Sequence, residues 1–247
     1  MFQKSANTLR KHLESMDTET WNSLDRYHLA EFKAFLNFSF DTKLLHAASE
    51  CWSTKHHIFC FNGVELCPLF EEFEGILGKP YRSNAPLPLP YAFNQTPESL
   101  SGFFGVTLGQ ILPCMEGPFL LTLPLLELGS SKPKNCKFWQ RITSFCLYAH
   151  FLLVSTEGRG SIQIAHVVEQ VESGHNPFPI ILAETIIGLD SMKHTRRLRG
   201  SPLLLQVCIS FTSHACFHGS KLIHLVTSDM DEGKVRCTDA PSKPYYL

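Results

Sequence analysis

The sequence predicts a mainly α fold: a multi-helix globular domain with a small β-hairpin near residues 57–66 and an irregular C-terminal tail. Three observations carry that class. Apolar residues recur at helical spacing through much of the chain up to Gln206. Strand grammar is clearest in one stretch, Cys51–Pro80, which reads CWSTKHHIFCFNGVELCPLFEEFEGILGKP. Beyond Gln206 the periodicity fades. The expected organisation is a polar segment 1–18, a helical domain 19–206 with a proline-rich arm 79–97, and a poorly patterned tail 207–247.

Within the central stretch, His57 to Phe61 alternates like a strand, and Asn62-Gly63 is a turn pair that tolerates the positive φ of a tight hairpin. Val64-Glu65-Leu66 returns as the partner strand. Pro68 suits the first turn of a helix, where its missing N–H leaves nothing unpaired. Leu69, Phe70, Phe73, Ile76 and Leu77 then repeat at helical spacing, with Glu71, Glu72 and Glu74 expected on the solvated face. Gly78 fits the position after the helix, and Pro80 stops it resuming. Phe59 or Phe61 is expected to be buried against Phe73 and Leu77.

The other elements follow the same logic. From Thr20, the residues Trp21, Leu24, Tyr27, His28, Phe32, Phe35 and Leu36 fall on one broad helical face. Asp41 or Thr42 can cap a second helix carrying Leu44, Leu45, Ala48 and Trp52. Five prolines between Lys79 and Pro97 exclude regular helix and favour an extended polyproline arm. Thr96-Pro97 opens a short helix with Leu100, Phe103 and Phe104, closed near Gly105, and Val106–Met115 can form another. Gly117–Leu128 is leucine-rich but broken by Pro118 and Pro124, which leaves helix and strand open there. Phe138–Val154 reads as a buried helix. Thr156–Ser161, TEGRGS, reads as a turn between helices, Ile162–Val171 as a helix, and Ile180–Met192 as the last clear helix.

Composition narrows the chemistry. The chain has 247 residues, 44% hydrophobic and 18% charged, with a formal net charge of −1. No global field gathers polyanions, so nucleic acid could be held only through a local basic patch. The longest apolar runs, FLLTLPLLEL and FCLYAHFLLV, are about half of what a bilayer span needs, and the N-terminus lacks the apolar run of a signal peptide. No membrane partner is expected. Nine scattered cysteines point to reduced thiols and an intracellular setting, in which Asn37-Phe-Ser and Asn94-Gln-Thr are chance sequons.

Cys51, His56, His57, Cys60 and Cys67 bracket the hairpin, but no second CxxC or HxxxH completes a zinc set. Cys208, His214, Cys216, His218, His224 and Cys237 form a second scatter in unpatterned sequence. No catalytic, cofactor-binding or metal-binding residue is assigned, and no cofactor is expected. Glu71, Glu72 and Glu74 read as a solvated face and not an acid/base pair. TEGRGS lacks the Lys-Ser/Thr ending of a phosphate loop. The candidate site is a basic patch, Lys193, Arg196, Arg197 and Arg199, expected to be exposed. It can act as an import signal or phosphate contact, or simply complement the end of the preceding helix.

The order Trp21, Leu24, Phe32, a helix leading to Trp52, and then HHIFCFNGVELCPLFEEFEGILGKP resembles the plant mobile domain group, sometimes labelled aminotransferase-like. Phe59, Gly63, Glu65, Leu66, Leu69, Phe73, Leu77, Gly78 and Pro80 match its hairpin–helix segment. LAETIIGLDSMKHTRRLRGSPLLLQV resembles a later stretch of a plant branch of that group. The likeness covers residues 20–207. It implies a transposon-derived, non-enzymatic interaction domain with a protein partner, in the nucleus, with links to silencing or genome maintenance. No lysine stands in a pyridoxal-phosphate context and no glycine-rich phosphate cup is present, so the aminotransferase label finds no residues to rest on. The alternatives are a metal-dependent or hydrolytic enzyme on a helical scaffold, requiring convergence of the hairpin Cys/His set or an acid–histidine pair in a cleft, and a truncated copy without selected activity.

Overall fold

Short helices, two small sheets and two long C-terminal helices build the protein, as seen in a computed structural model that describes residues 9–35, 41–61, 64–77, 96–154, 158–195 and 198–217, without the side chains of Lys193 and residues 211–217. The mainly α class with small β elements is what the sequence predicts. Asn62-Gly63, Gly78, Pro80 and nearly all of the proline-rich arm lie outside the described residues.

Residues 9–14 form α1 within the polar, weakly periodic segment 1–18, and they place Leu9 and Leu13 in the main core. Asp17 caps α2 (Thr18–Asn22), its carboxylate accepting the Thr20 N–H at 2.7 Å. The expected long helix from Thr20 does not continue. His28 adopts a left-handed backbone (φ 58°) between two 3-10 turns, Asp25–Tyr27 and Ala30–Phe35. Trp21, Leu24, Tyr27 and Phe32 are nonetheless buried, as their spacing requires. Asp41 caps α3 (Thr42–Glu50) through the N–H groups of Lys43 and Leu44.

The predicted hairpin is part of a three-stranded antiparallel sheet: β1 (Trp52–Ser53), β2 (Ile58–Phe61) and β3 (Val64–Leu66), with Phe61 opposite Val64. Trp52 thus leaves the helix and enters a strand. The following helix, α4 (Phe70–Ile76), starts two residues after Pro68, and Glu72 Oε2 accepts the Leu69 N–H at 3.0 Å. Thr96, Pro97 and Gly105 (φ 61°) bound α5 (Pro97–Phe104) as expected. Then come α6 (Leu108–Ile111) and a 3-10 turn, Leu112–Cys114.

The ambiguous leucine-rich stretch divides into a strand and a helix. Strands β4 (Met115–Glu116) and β5 (Phe119–Leu121) pair with each other, and α7 (Thr122–Ser130) follows directly. TEGRGS is not only a turn: Arg159–Ser161 forms β6, antiparallel to β5 with Leu120 opposite Gly160. A side chain at 160 would meet Ala149 Cβ and Phe145 Cζ at 2.7 Å each, so glycine lets this strand lie on the next helix. That helix, α8 (Lys137–Leu147), runs into a π-helical turn, Tyr148–Leu152. After α9 (Gln163–Glu172) come the two longest helices, α10 (Phe178–Thr195) and α11 (Pro202–Phe217). The sequence reading ended regular structure at 206, whereas α11 passes that boundary and continues to Phe217.

Two apolar cores result. The larger gathers α1, α5, α7, α8, the π turn and α9 around Trp139, Phe145, Phe104 and Tyr148. The smaller joins Leu45 and Ala48 of α3 to Trp52, Phe59, Phe61, Leu189, Leu205 and Ile209. Phe59 and Phe61 therefore do not pack in one cluster with Phe73 and Leu77, which belong to the larger core. The strand and helix of the hairpin unit face different cores.

Both cores share α10 and α11. On α11, Leu203, Leu204, Val207 and Cys208 enter the larger core, while Leu205 and Ile209 enter the smaller. Their mutual position is set by a backbone crossing. The Gly200 backbone (φ 83°) lies on Thr185 and Arg199 lies on Gly188, so closely that a Cβ at either glycine would overlap backbone atoms of the other segment. Thr185 Oγ1 donates to Ile181 O (2.7 Å) and accepts the Ser201 N–H (2.8 Å). Ser201 Oγ donates to Phe151 O at 2.9 Å and accepts the Leu204 N–H at 3.2 Å, capping α11. Val154 and Gly200 exchange both backbone hydrogen bonds.

A second polar anchor lies inside the larger unit. Arg141 donates from Nε to Glu172 Oε2 (2.8 Å) and from Nη1 to Phe103 O (3.0 Å), with its guanidinium 4.5 Å from the Phe103 ring centroid. Both side chains are mostly buried, which makes the pair costly to break from one side.

Two substitutions test this architecture. Phe73→Ala empties a fully buried aromatic site and should cost about 3–5 kcal/mol in chemical denaturation; a loss below about 1 kcal/mol would make Phe73 peripheral. Gly200→Ala combines an unfavourable φ with backbone overlap and should cost more than about 3 kcal/mol. An unchanged urea midpoint for that variant would mean that the crossing does not constrain the fold.

Candidate functional site

The hairpin sheet meets α10 at one carboxylate. Asp190, two positions beyond Gly188, accepts the Trp52 indole N–H on Oδ1 at 2.8 Å and faces His57 Nε2 from Oδ2 at 3.2 Å. His57 reaches it from a left-handed backbone (φ 53°), and its ring stacks near that of Trp52, with centroids 6.1 Å apart and planes 22° apart. The pair is an acid–histidine couple, 138 residues apart in sequence for its Trp52 arm. It lies at the surface, the His57 side chain 50% exposed and that of Asp190 35%. Both carboxylate oxygens are engaged in holding the sheet to the helix.

The Cys/His set around the hairpin is spread out by the fold. Cys51 is buried in the smaller core, His56 is exposed, Cys60 is half-buried and Cys67 is exposed. Cys67 donates weakly to the His57 carbonyl (Sγ–O 3.9 Å), and burial first, then Glu72, push its thiol pKa up. That is the wrong direction for a thiolate nucleophile. Among the described residues, no three His, Cys, Asp or Glu side chains are placed to hold a metal ion. In the second scatter, Cys208 donates to Glu72 Oε2 at 3.1 Å. His214 and Cys216 fall in α11 with side chains outside the description, and His218, His224 and Cys237 lie outside the described residues.

The basic patch is described only in part. Lys193 falls in the last turns of α10, and Arg199 is exposed; the Lys193 side chain and all of Arg196 and Arg197 lie outside the described residues.

The acidic face of α4 needs a correction. Glu74 is not solvated: it is 3% exposed and accepts a hydrogen bond from Asn176 Nδ2. Asn176 in turn accepts the Phe178 N–H at 3.0 Å, so the carboxyl is tied to the start of α10. Among the described residues, Glu74 Oε2 is buried with no hydrogen-bond partner. Alternation on a seven-residue helix could not reveal this, because α10 and α11 cover α4 from the far end of the sequence. Burial raises the Glu74 pKa and neighbouring Glu71 adds to the rise, against the lowering by Asn176.

The sign of the linkage follows. A carboxyl whose folded pKa lies above its unfolded value stabilises the fold at pH below the ordinary glutamate range, and that contribution is lost as pH rises through the folded pKa. Glu74→Gln, which keeps an acceptor for Asn176, should therefore raise stability at neutral pH and flatten the decline above the carboxylate range. Urea midpoints across pH 4–8 check this; a variant less stable than the parent at pH 7 would show that the ionised carboxylate is the stabilising form.

Among the described residues no helix is long and apolar enough to cross a membrane. Compared with known proteins, the chain matches no family model, no curated protein and no solved structure.

Proposed function

We propose that this chain is a transposon-derived, non-enzymatic interaction domain of the plant mobile domain kind, working in the nucleus through a protein partner, with silencing or genome maintenance as its setting. One observation supports this reading above others: the two stretches that carry the resemblance, more than a hundred residues apart, fold onto one another. Trp52, Phe59 and Leu66 of the first share a core with Leu189, Leu205 and Ile209 in and beside the second, and Asp190 ties the two polar edges together. Of the matched residues, Phe59 and Leu66 thus pack with the second stretch, while Phe73 and Leu77 belong to the larger core.

The His57–Asp190 couple is the feature that an enzymatic reading would draw on. It stands half-open at the surface, and the carboxylate that would orient the imidazole is shared with Trp52. A hydrolytic role needs a nucleophile in reach of the ring; the Cys67 thiol, 3.9 Å from the His57 carbonyl, has its pKa raised.

The nuclear setting is tested with a reporter fusion too large to diffuse through nuclear pores. Replacing Lys193, Arg196, Arg197 and Arg199 by Ala should weaken nuclear accumulation, with the urea midpoint unchanged. Equal accumulation of the variant and parent would reduce the run to a counter-charge for the end of α10. Recovery of bound proteins from nuclear extract, with the His57→Ala variant binding like the parent, would fit an interaction domain; turnover abolished by that variant would not.

A further inference from the structure

A second group of basic residues, separate in sequence from the run 193–199, is held together by the fold. Lys132, Lys134 and Lys137 occupy the connection between α7 and α8 and the first turn of α8. Lys134 and Lys137 are exposed, and Lys132 is half-buried. Phe138 stands between two of them: its ring centroid is 5.6 Å from Lys132 Nζ and 5.5 Å from Lys137 Nζ. The ring lies against Gly105, where a Cβ would overlap it, and Lys132 Nζ donates to Gly105 O at 2.6 Å. The C-terminal turn of α5 thus fixes both the aromatic ring and one ammonium group.

Helix α1 adds to the same face from the other end of the chain. The His12 ring lies 6.3 Å from that of Trp139, and burial first, then the Lys134 ammonium, lower its pKa. Asp17 is the acidic group within reach of Lys134, and its carboxylate is already engaged by Thr20. No carboxylate forms a salt bridge with Lys132, Lys134 or Lys137 among the described residues, on a chain with 23 acidic residues to supply one.

We propose that the face formed by Lys132, Lys134 and Lys137 around Phe138 is a contact surface for the phosphodiester backbone of a nucleic acid. Three cations within six positions, with two ammonium groups gathered at one ring, repel one another, and a line of negative charge running along them relieves that repulsion. Phosphodiesters supply such a line, and lysines meet them as point charges without reading sequence. A bilayer fits less well, because the aromatic ring of this face is packed on Gly105 and is not free to insert. None of these three lysines is among the residues replaced in the reporter test above.

The test uses the full chain and fluorescein-labelled oligonucleotides of mixed sequence, about 20 nucleotides long, single-stranded and duplex, with anisotropy read from about 50 to 200 mM salt. The parent should bind at least one form in the non-specific range of about 10⁻⁴–10⁻⁶ M, weakening steeply with salt. Lys134→Glu with Lys137→Glu should weaken binding at least about tenfold and reduce the salt slope by about two, with the melting temperature of the parent. The Lys193, Arg196, Arg197 and Arg199 quadruple-Ala protein should bind like the parent. Absence of binding by the parent at low salt overturns the proposal, as does an unchanged affinity and slope in the double variant. Binding to phosphatidylserine vesicles without binding to either oligonucleotide overturns it in favour of a lipid surface. Should the charge reversal unfold the protein, Lys134→Gln with Lys137→Gln removes the same charges, and its slope decides.

Discussion

The placement of α10 and α11 depends on one backbone-on-backbone contact, the crossing of residues 199–201 over α10. Gly188 and Gly200 remove the two side chains that would hold the segments apart, and Thr185 supplies a hydroxyl that satisfies Ile181 and Ser201 at once. Ser201 then reaches Phe151 in the π turn and caps α11. A chain laid this closely over a helix buries polar backbone, and each buried group must find a partner. The short Val154–Gly200 bridge and the Ser201 hydroxyl do this. Once the crossing is made, α11 emerges between the two cores and can serve both.

The elements that could be read from sequence are those whose information is local. Asp41, Thr96, Pro97 and Gly105 bound their helices because caps act within a few residues. The hairpin was legible in its alternation, and α9 in its apolar stripe. What escaped was determined by distant partners. α11 is apolar nearly all round because cores lie on two sides of it, so it carries no one-sided pattern to detect. β4, β5 and β6 have only two or three residues each, too short to show a period of two. Trp52 follows α3 at helical spacing yet belongs to a strand, since Asp190 and Phe59 draw it there. Of the candidate site, the basic run was visible as composition, while the His57–Asp190 couple exists only through long-range folding, as does the seat on Gly105 that holds Phe138 and Lys132.

The polar groups in this protein fall into two kinds. Arg141 with Glu172, Asp190 with Trp52 and Thr185 with Ser201 are each surrounded by partners and join segments distant in sequence. Glu74 is different, as one of its buried oxygens has none. A satisfied network of this sort specifies which packing is adopted, whereas an incompletely satisfied carboxyl lowers stability for as long as it is ionised. The surface lysines belong to neither kind. Among the described residues no carboxylate forms a salt bridge with them, and only the charge of Asp17 is felt at Lys134, which leaves most of their charge available to something outside.

The sharing of α10 and α11 between two cores has a consequence for how the molecule comes apart. Two clusters resting on separate elements could open one at a time, each as its own cooperative unit. Here the smaller core cannot be exposed without moving Leu205 and Leu189, and the same helices carry Leu204 and Ile181 in the larger one. Local opening is therefore expected in elements outside the shared pair, such as α6 or the β4–β5 turn, before it reaches these helices. The amides of α11 should exchange with solvent only when the whole chain unfolds, so that their protection measures the global stability directly.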